Sequence, residues 1–360
     1  MIKLGIIGTG GMAEYQAKKF SEMNTCQLWA CKDQHAEHAQ RFAGKFRIPH
    51  WYTDLESMLV DTDGSCDAYT CAVLDERHTY IGKNILVSKR PLLMEKPLSR
   101  TLSEAQELAE LAQKIRVSNL VNFSKRNAPA LWALYKFLRN NYLGHIFSVK
   151  AEYQQSWVAT NCWGDWMSTP RWRWRLQPQK STAGVIGDLG SHVVDALILL
   201  FGQLIPKDTP QIINLEEAMK RSFIPSRHLE TDFYDDKGTV PVKASVTFTA
   251  PSIDGNDIIG TIDLSWLNLE ANDQFKITVY GEKGYALLDL SLSKHQIYLY
   301  DLNHNIEEIV AHPAIPSTYE TFINHVQQIP QDPEIPLPDF KQGYFVQKTL
   351  DELFSGVLPS

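Results

Sequence analysis

Two short segments of this 360-residue chain carry side chains whose types and spacing suit proton transfer at an alcohol. In Gly187-Asp188-Leu189-Gly190-Ser191-His192, Asp188 and His192 stand four apart ahead of an apolar stretch. On a helix reading from Asp188 to Phe201, both side chains share one face near its N-terminus. Oxidising an alcohol by hydride loss needs a base for the hydroxyl proton. An imidazole titrates in the useful range, and a neighbouring carboxylate orients it and favours its protonated form. In the reverse direction His192 is the acid. Glu95-Lys96-Pro97 closes a short apolar segment, and the proline restricts Lys96 to extended backbone. At the C-terminal end of a parallel strand, where open α/β sheets bind ligands, Lys96 would aim an ammonium at the reacting oxygen. The plainer readings are a capping Asp188 beside a core histidine, and a surface turn for the tripeptide.

The hydride needs an acceptor, and the start of the chain carries the signal of one. Gly8-Thr9-Gly10-Gly11-Met12-Ala13 follows an apolar run and opens a helical pattern, giving GxGxxA in the context where it has mechanical meaning. Gly8 permits the tight turn, Gly10 lets backbone approach a pyrophosphate, and Ala13 allows close helix-to-strand packing. Gly11 and Met12 belong to the first helical turn, whose amides face the phosphate charge. A second apolar run ends at Asp33, where a carboxylate meets the adenosine ribose hydroxyls. Asp33 favours NAD by repelling a 2′-phosphate, while Lys32 beside it offers a compensating cation and leaves NADP open. The plainer role for Asp33 is a helix cap.

Trp157, Trp163, Trp166, Trp172 and Trp174 crowd the segment before Asp188, interleaved with Arg171, Arg173 and Arg175. Aromatic faces suit the C–H surfaces of sugars, and guanidinium forks suit hydroxyls. Trp174 and Arg175 are therefore candidate substrate contacts, although a core or subunit contact uses the same residues. Histidines and carboxylates nowhere show zinc spacing, so no metal is expected.

The elements that must position these groups fall into two sets. Up to about Asn122, strands at Ile2 to Ile7, Gln27 to Cys31, Ala68 to Ala72, Pro91 to Met94 and Asn119 to Asn122 alternate with helical stretches, which is the pattern of a parallel α/β sheet. Those helices read as Met12 to Met23, Ala36 to Phe46 and Leu102 to Ile115. Beyond it come a helix from Pro129, a strand from Phe147 to Gln155, and then alternating strands from Ala244 to Tyr300 joined by turns such as Gly281-Glu282-Lys283-Gly284. The expectation is an α/β chain: a Rossmann domain over 1–122 and an α+β domain with an open, largely antiparallel sheet over 123–360. Proline-rich residues Pro330 to Pro338 read as a stiff connector before a last helix from Phe340 to Phe354, whose docking place stays open.

A net charge of -7 without a basic run argues against nucleic-acid or membrane partners. Five cysteines without CxxC spacing fit free thiols in a reducing compartment. A strand beginning at Ile2 leaves no room for a signal peptide before it, so a cytoplasmic protein is expected.

Together these residues resemble the glucose-fructose oxidoreductase and inositol dehydrogenase (Gfo/Idh/MocA) family, nearly end to end. The likeness includes Gly8 to Ala13, Asp33, the stretch from Glu37 to Pro49, His78, Glu95-Lys96-Pro97, Arg126 to Pro129 and Gly187 to His192. It implies a catalytic trio of Lys96, Asp188 and His192. It further implies cofactor contacts at His78, Glu95 and Lys96, and substrate contacts at Lys96, Arg126, Asp188 and His192. The activity implied is NAD(P)-dependent hydride transfer at a hydroxyl-bearing carbon of a sugar or cyclitol, in a homodimer or homotetramer built on the outer face of the sheet. Relatives also include glycosidases that oxidise a sugar transiently and sugar-sensing regulators that have lost the lysine or histidine. Leu74-Asp75 replaces the family's usual Pro-Asn before His78.

Overall fold

The computed structural model describes residues 1–61, 65–252, 256–311 and 316–355. They form two compact units: Met1–Phe123 with Pro316–Phe345, and Ser124–Ile315 with the chain from Val346.

The first unit is a six-stranded parallel sheet. Its elements run β1 (Ile2–Ile7), α1 (Gly11–Ser21), β2 (Cys26–Lys32), α2 (Ala36–Phe46), β3 (His50–Tyr52), α3 (Leu55–Val60), β4 (Ala68–Cys71), α4 (His78–Val87), β5 (Leu92–Glu95), α5 (Leu102–Ile115) and β6 (Asn119–Asn122). The strand order is β3-β2-β1-β4-β5-β6, every pairing parallel. It reverses direction of progression between β1 and β4, the point where such sheets bind dinucleotides. Every residue of β4 and β5 is buried, which is why these strands read as unbroken apolar runs rather than alternating ones. Helix α2 buries Ala39, Phe42 and Ala43, an i, i+3, i+4 stripe. A capping box between Thr101 and Glu104 starts α5.

The strands and helices expected in this unit are present, and β3, α3 and α4 are additions to them. β3 has three residues, none buried, so it lacks the apolar run by which its neighbours are recognised.

The second unit holds α6 (Pro129–Arg139), β7 (Ile146–Gln154), α7 (Pro170–Arg173), α8 (Ser191–Phe201), β8 (Ile205–Pro206), β9 (Gln211–Asn214), α9 (Leu215–Lys220), β10 (Pro241–Pro251), β11 (Asp257–Ser265), β12 (Gln274–Gly281), β13 (Gly284–Asp289), β14 (Gln296–Tyr300) and β15 (Ile306–Val310). Nine strands make one open sheet, β15-β14-β13-β12-β7-β11-β10-β8, with β9 also on β10. Only the central β7–β11 pairing is parallel; the others are antiparallel. The expected hairpin is present, with Gly281 opposite Gly284. Gly284 has φ +133° and a Cβ there would meet the Tyr300 carbonyl oxygen at 2.0 Å, so only glycine fits. The helix expected from Asp188 begins differently: Ile186–Gly190 form a wide π-type turn and α8 proper starts at Ser191.

The last elements are α10 (Thr318–Val326) and α11 (Phe340–Leu353). Tyr319, Phe322 and Ile323 of α10 join Leu4, Ile6, Ala13 and Phe20 in the core of the first unit. The proline-rich stretch is likewise anchored there, since the Val121 amide donates to the Pro338 carbonyl at 2.6 Å. The boundary between the units falls inside α11, after Phe345.

Candidate active site

The glycine loop between β1 and α1 is shaped for a close ligand. Gly8 sits at φ +96°, where a Cβ would strike the Ala72 carbonyl oxygen at 2.6 Å, so the turn demands glycine. A Cβ on Gly10 would meet nothing within 4 Å: the space above the loop is open, as a cradle for a pyrophosphate must be. Gly10 caps α1, Gly11 and Met12 are exposed in its first turn, and Ala13 is fully buried against the sheet. The helix thus presents its N-terminal amides outward.

Asp33 stands just past β2. Its Oδ2 accepts from the Thr9 hydroxyl at 2.6 Å and its Oδ1 from the His35 amide at 3.0 Å. The cap of α2 is His35, so Asp33 is not a helix cap. Thr9, a position the GxGxxA pattern leaves free, therefore ties the glycine loop to Asp33. A carboxylate oxygen has two lone-pair sites, and each Asp33 oxygen retains capacity to accept ribose hydroxyls. These residues fit a dinucleotide.

At the end of β5, Lys96 is half-buried and precedes a cis Lys96–Pro97 bond. Glu95 points into the unit rather than toward a ligand. Its Oε1 accepts from Gln16 Nε2 and Asn122 Nδ2, each at 2.6 Å, and Asn122 Nδ2 also contacts the Tyr319 hydroxyl at 3.0 Å. Burial pushes the Glu95 carboxyl upward, and these donors oppose that. His78 is 1% exposed, with Nδ1 2.9 Å from the Pro97 carbonyl and Nε2 3.2 Å from the Val73 carbonyl. Burial lowers its pKa, with the nearby Asp75 carboxylate pulling the other way. Both side chains are engaged by internal partners and brace the segment that carries Lys96.

In the second unit, the π-type turn places Asp188 and the first turn of α8 places His192. Gly187 makes the turn possible, because a Cβ there would lie 1.8 Å from the Thr182 carbonyl oxygen. Gly190 lets the turn sit close to its neighbours, since a Cβ there would press Leu264 of β11 at 3.0 Å and Leu350 of α11 at 3.1 Å, closer than ordinary van der Waals contact. The Asp188 Oδ2 lies 3.5 Å from Arg175 Nε. The His192 ring, 7% exposed, lies 6.2 Å from that of Tyr153 on β7.

Tyr153 was not singled out by sequence, yet it is central to this half of the site. Burial, with the Asp273 and Asp188 carboxylates near, holds its phenol well above the usual range. Lys125 Nζ stands 4.4 Å from the Tyr153 ring centre and 3.7 Å from Asp273 Oδ2. The available signal was strand parity. Val149, Ala151 and Tyr153 alternate as the buried face of β7, and a phenol at the end of such a series needs a polar partner.

Arg126 is placed otherwise than expected. Its Nε and Nη2 make a bidentate pair with Asp195 of α8, both bonds 2.7 Å, at 3% and 2% side-chain exposure. Its guanidinium joins the Ser124–Asn127 turn to α8 and is not presented to a substrate. The tryptophans divide as well: Trp157 and Trp166 are buried, while Trp163, Trp172 and Trp174 are half-buried. Arg173 is committed to Glu230 and Asp232, and Arg175 lies over Trp174 at 4.4 Å.

Family comparison falls on both units. Residues 2–123 match the oxidoreductase family with an NAD-binding Rossmann fold, and residues 132–287 match the GFO/IDH/MocA C-terminal domain. The chain belongs to the GFO/IDH/MocA oxidoreductase family. Among curated relatives of this GFO/IDH/MocA chain, levoglucosan dehydrogenase of Pseudarthrobacter phenanthrenivorans is 22% identical over 79% of this chain and 72% of that protein. D-glucoside 3-dehydrogenase of Escherichia coli is 24% identical over 98% of this chain and 94% of that protein. A solved levoglucosan dehydrogenase in complex with NADH and levoglucosan superposes with a TM-score of 0.80 at 18% identity, covering 99% of this chain and 96% of that one. At that identity the likeness is one of fold.

Proposed function

We propose that this family member is an NAD-dependent dehydrogenase that interconverts a secondary alcohol of a sugar or cyclitol and its carbonyl, using Lys96, Asp188 and His192. The observation that carries the reading is the grouping in the second unit. A carboxylate set by a glycine-dependent turn lies beside an arginine, and a histidine in the helical turn that follows lies beside a buried tyrosine. The bound nicotinamide supplies the hydride chemistry. His192 takes the hydroxyl proton on oxidation and returns it on reduction, Asp188 orients the exchange, and Lys96 polarises the reacting oxygen. Relatives named for levoglucosan, D-xylose and D-glucosides support a polyol substrate. His192→Ala is expected to lower kcat about 10²–10⁴-fold while the dissociation constant for NAD stays within error. Unchanged turnover in that variant would remove His192 from the reaction.

NAD is preferred because Asp33, fixed by Thr9, would face a 2′-phosphate. Like charges about 4 Å apart repel by roughly 1–4 kcal/mol between aqueous and surface screening. Free thiols at Cys26, Cys31, Cys66, Cys71 and Cys162 support a reducing, cytoplasmic setting, and among the described residues no helix is long and apolar enough to cross a membrane. A homo-oligomer through the outer sheet face is supported by Ile259, 54% exposed there, and by Tyr285 stacked on Tyr300 at 4.4 Å and 6°.

A further inference from the structure

We infer that the second unit carries a subsite for a second sugar ring, so that the substrate is a glycoside rather than a free monosaccharide. The inference rests on the dehydrogenase reading, but it comes from residues outside the proposed catalytic set. Four tryptophans form a stepped cluster. Trp157 and Trp266 are its buried floor, 5.0 Å apart at 56°. Trp163 lies parallel to Trp157, 6.0 Å away at 7°, and Trp172 lies 5.0 Å from Trp163 at 34°.

The upper pair is only half-buried, although its polar edges are already satisfied. Trp163 Nε1 donates to Asn272 Oδ1 at 3.1 Å, and Trp172 Nε1 donates to the Trp163 carbonyl at 2.9 Å. The two rings are therefore held in place before any ligand arrives, with part of their apolar surface left toward solvent and the Arg171 and Arg175 guanidinium groups lying over Trp172. A platform for the C–H face of a pyranose needs such surface presented and held still, because preorganisation removes the ordering cost from binding.

Position connects the platform to the chemistry. Arg175 is 3.5 Å from the Asp188 carboxylate and its guanidinium carbon is 5.3 Å from the Trp172 ring centre. One guanidinium thus separates the carboxylate from the platform, a span suited to a ring joined directly to the one being oxidised. Arg171, exposed and 4.8 Å from the same ring centre, adds forked donors for hydroxyls at the rim.

Charge favours a neutral occupant. Arg175 is balanced by Asp188 and Lys125 by Asp273, and Arg173 by Glu230 and Asp232. A diphosphate bridge, as in a nucleotide sugar, would have to displace Asp188 from Arg175 to be neutralised. An uncharged glycosidic link needs no such exchange.

The test pairs glucose, galactose and mannose with α- and β-linked disaccharides carrying each as the non-reducing ring, and adds UDP-glucose. Initial NAD-dependent rates are measured for the intact protein and for Trp172→Leu, Trp163→Leu and Trp172→Phe. For at least one ring, the disaccharide should have a kcat/KM about tenfold or more above that of the monosaccharide. Trp172→Leu should raise the disaccharide KM about tenfold more than the monosaccharide KM, and Trp172→Phe should restore most of the difference. Equal constants for one ring and two, an equal effect of Trp172→Leu on both, or a preference for UDP-glucose would overturn the subsite. If no sugar is turned over, the dehydrogenase reading fails by itself. Tryptophan fluorescence of the intact protein then decides the subsite: a saturable change with disaccharides but not monosaccharides supports it, and none with either overturns it. The same titration serves if the leucine variants do not fold.

Discussion

Among single residues, the groups proposed to meet ligands differ from those that hold them in place. Asp33 belongs to the first kind. Asp33→Ser should raise kcat/KM for NADP about tenfold relative to NAD, read from initial rates with each cofactor; an unchanged ratio would deny Asp33 its selective role. Arg126 and Asp195 belong to the second. Losing one partner of a buried bidentate pair strands the other, so Arg126→Met or Asp195→Leu alone should cost about 3–5 kcal/mol in denaturant unfolding, and the double substitution much less than their sum. Additive losses would show that the pair is not coupled. The site residues legible in the sequence were those with local mechanical meaning: the glycines, Asp33, Lys96 and the Asp188–His192 spacing. The internal partners of Arg126, Glu95 and His78 were not legible, because Asp195 lies 69 positions from Arg126 and a sequence gives the neighbourhood of a side chain but not the direction in which it points.

At the scale of elements, the π-type turn before α8 is the feature most exposed to test. The Thr182 carbonyl oxygen lies 1.8 Å from where a Cβ at Gly187 would sit, so Gly187→Ala must displace backbone rather than a flexible side chain. The expected cost is about 1–3 kcal/mol of stability, with turnover falling well beyond what the fraction folded explains. An alanine variant with full activity would mean the turn does not set Asp188. The elements themselves were legible where apolar periodicity was long, as in α2, α5, α8 and β10. The missing ones were short. β8 has two residues, β9 four, and β15 five with an exposed pattern at the edge of its sheet, and none of them offers a run long enough to distinguish from a loop. The return of α10 to the first unit was illegible for another reason: its apolar face is visible in the sequence, while the core it completes is not.

For the whole molecule, acid–base linkage gives an independent check on the burial of the first unit. Burial pushes the thiols of Cys26, Cys31, Cys66 and Cys71 up to about 12, from 9.0. Unfolded thiols ionise near the ordinary value, so between about pH 9 and 12 the folded chain binds more protons than the unfolded one. Stability should therefore be undiminished below pH 9 on this account and fall as pH rises through that window. Replacing the four by Ala or Ser should flatten the fall in melting temperature; an identical fall would place its origin elsewhere. For assembly, Ile259→Arg should shift light-scattering mass to that of one chain, and an unchanged mass would place any subunit contact away from this face. The proposed activity, hydride transfer on a polyol, is checked by a single scan. Sugars, cyclitols and sugar acids are offered to the intact protein with NAD and with NADP while reduced-nicotinamide absorbance is followed. The account predicts steady, substrate-dependent absorbance with NAD for at least one neutral polyol. Saturable binding of such a polyol with no absorbance change under either cofactor would contradict it.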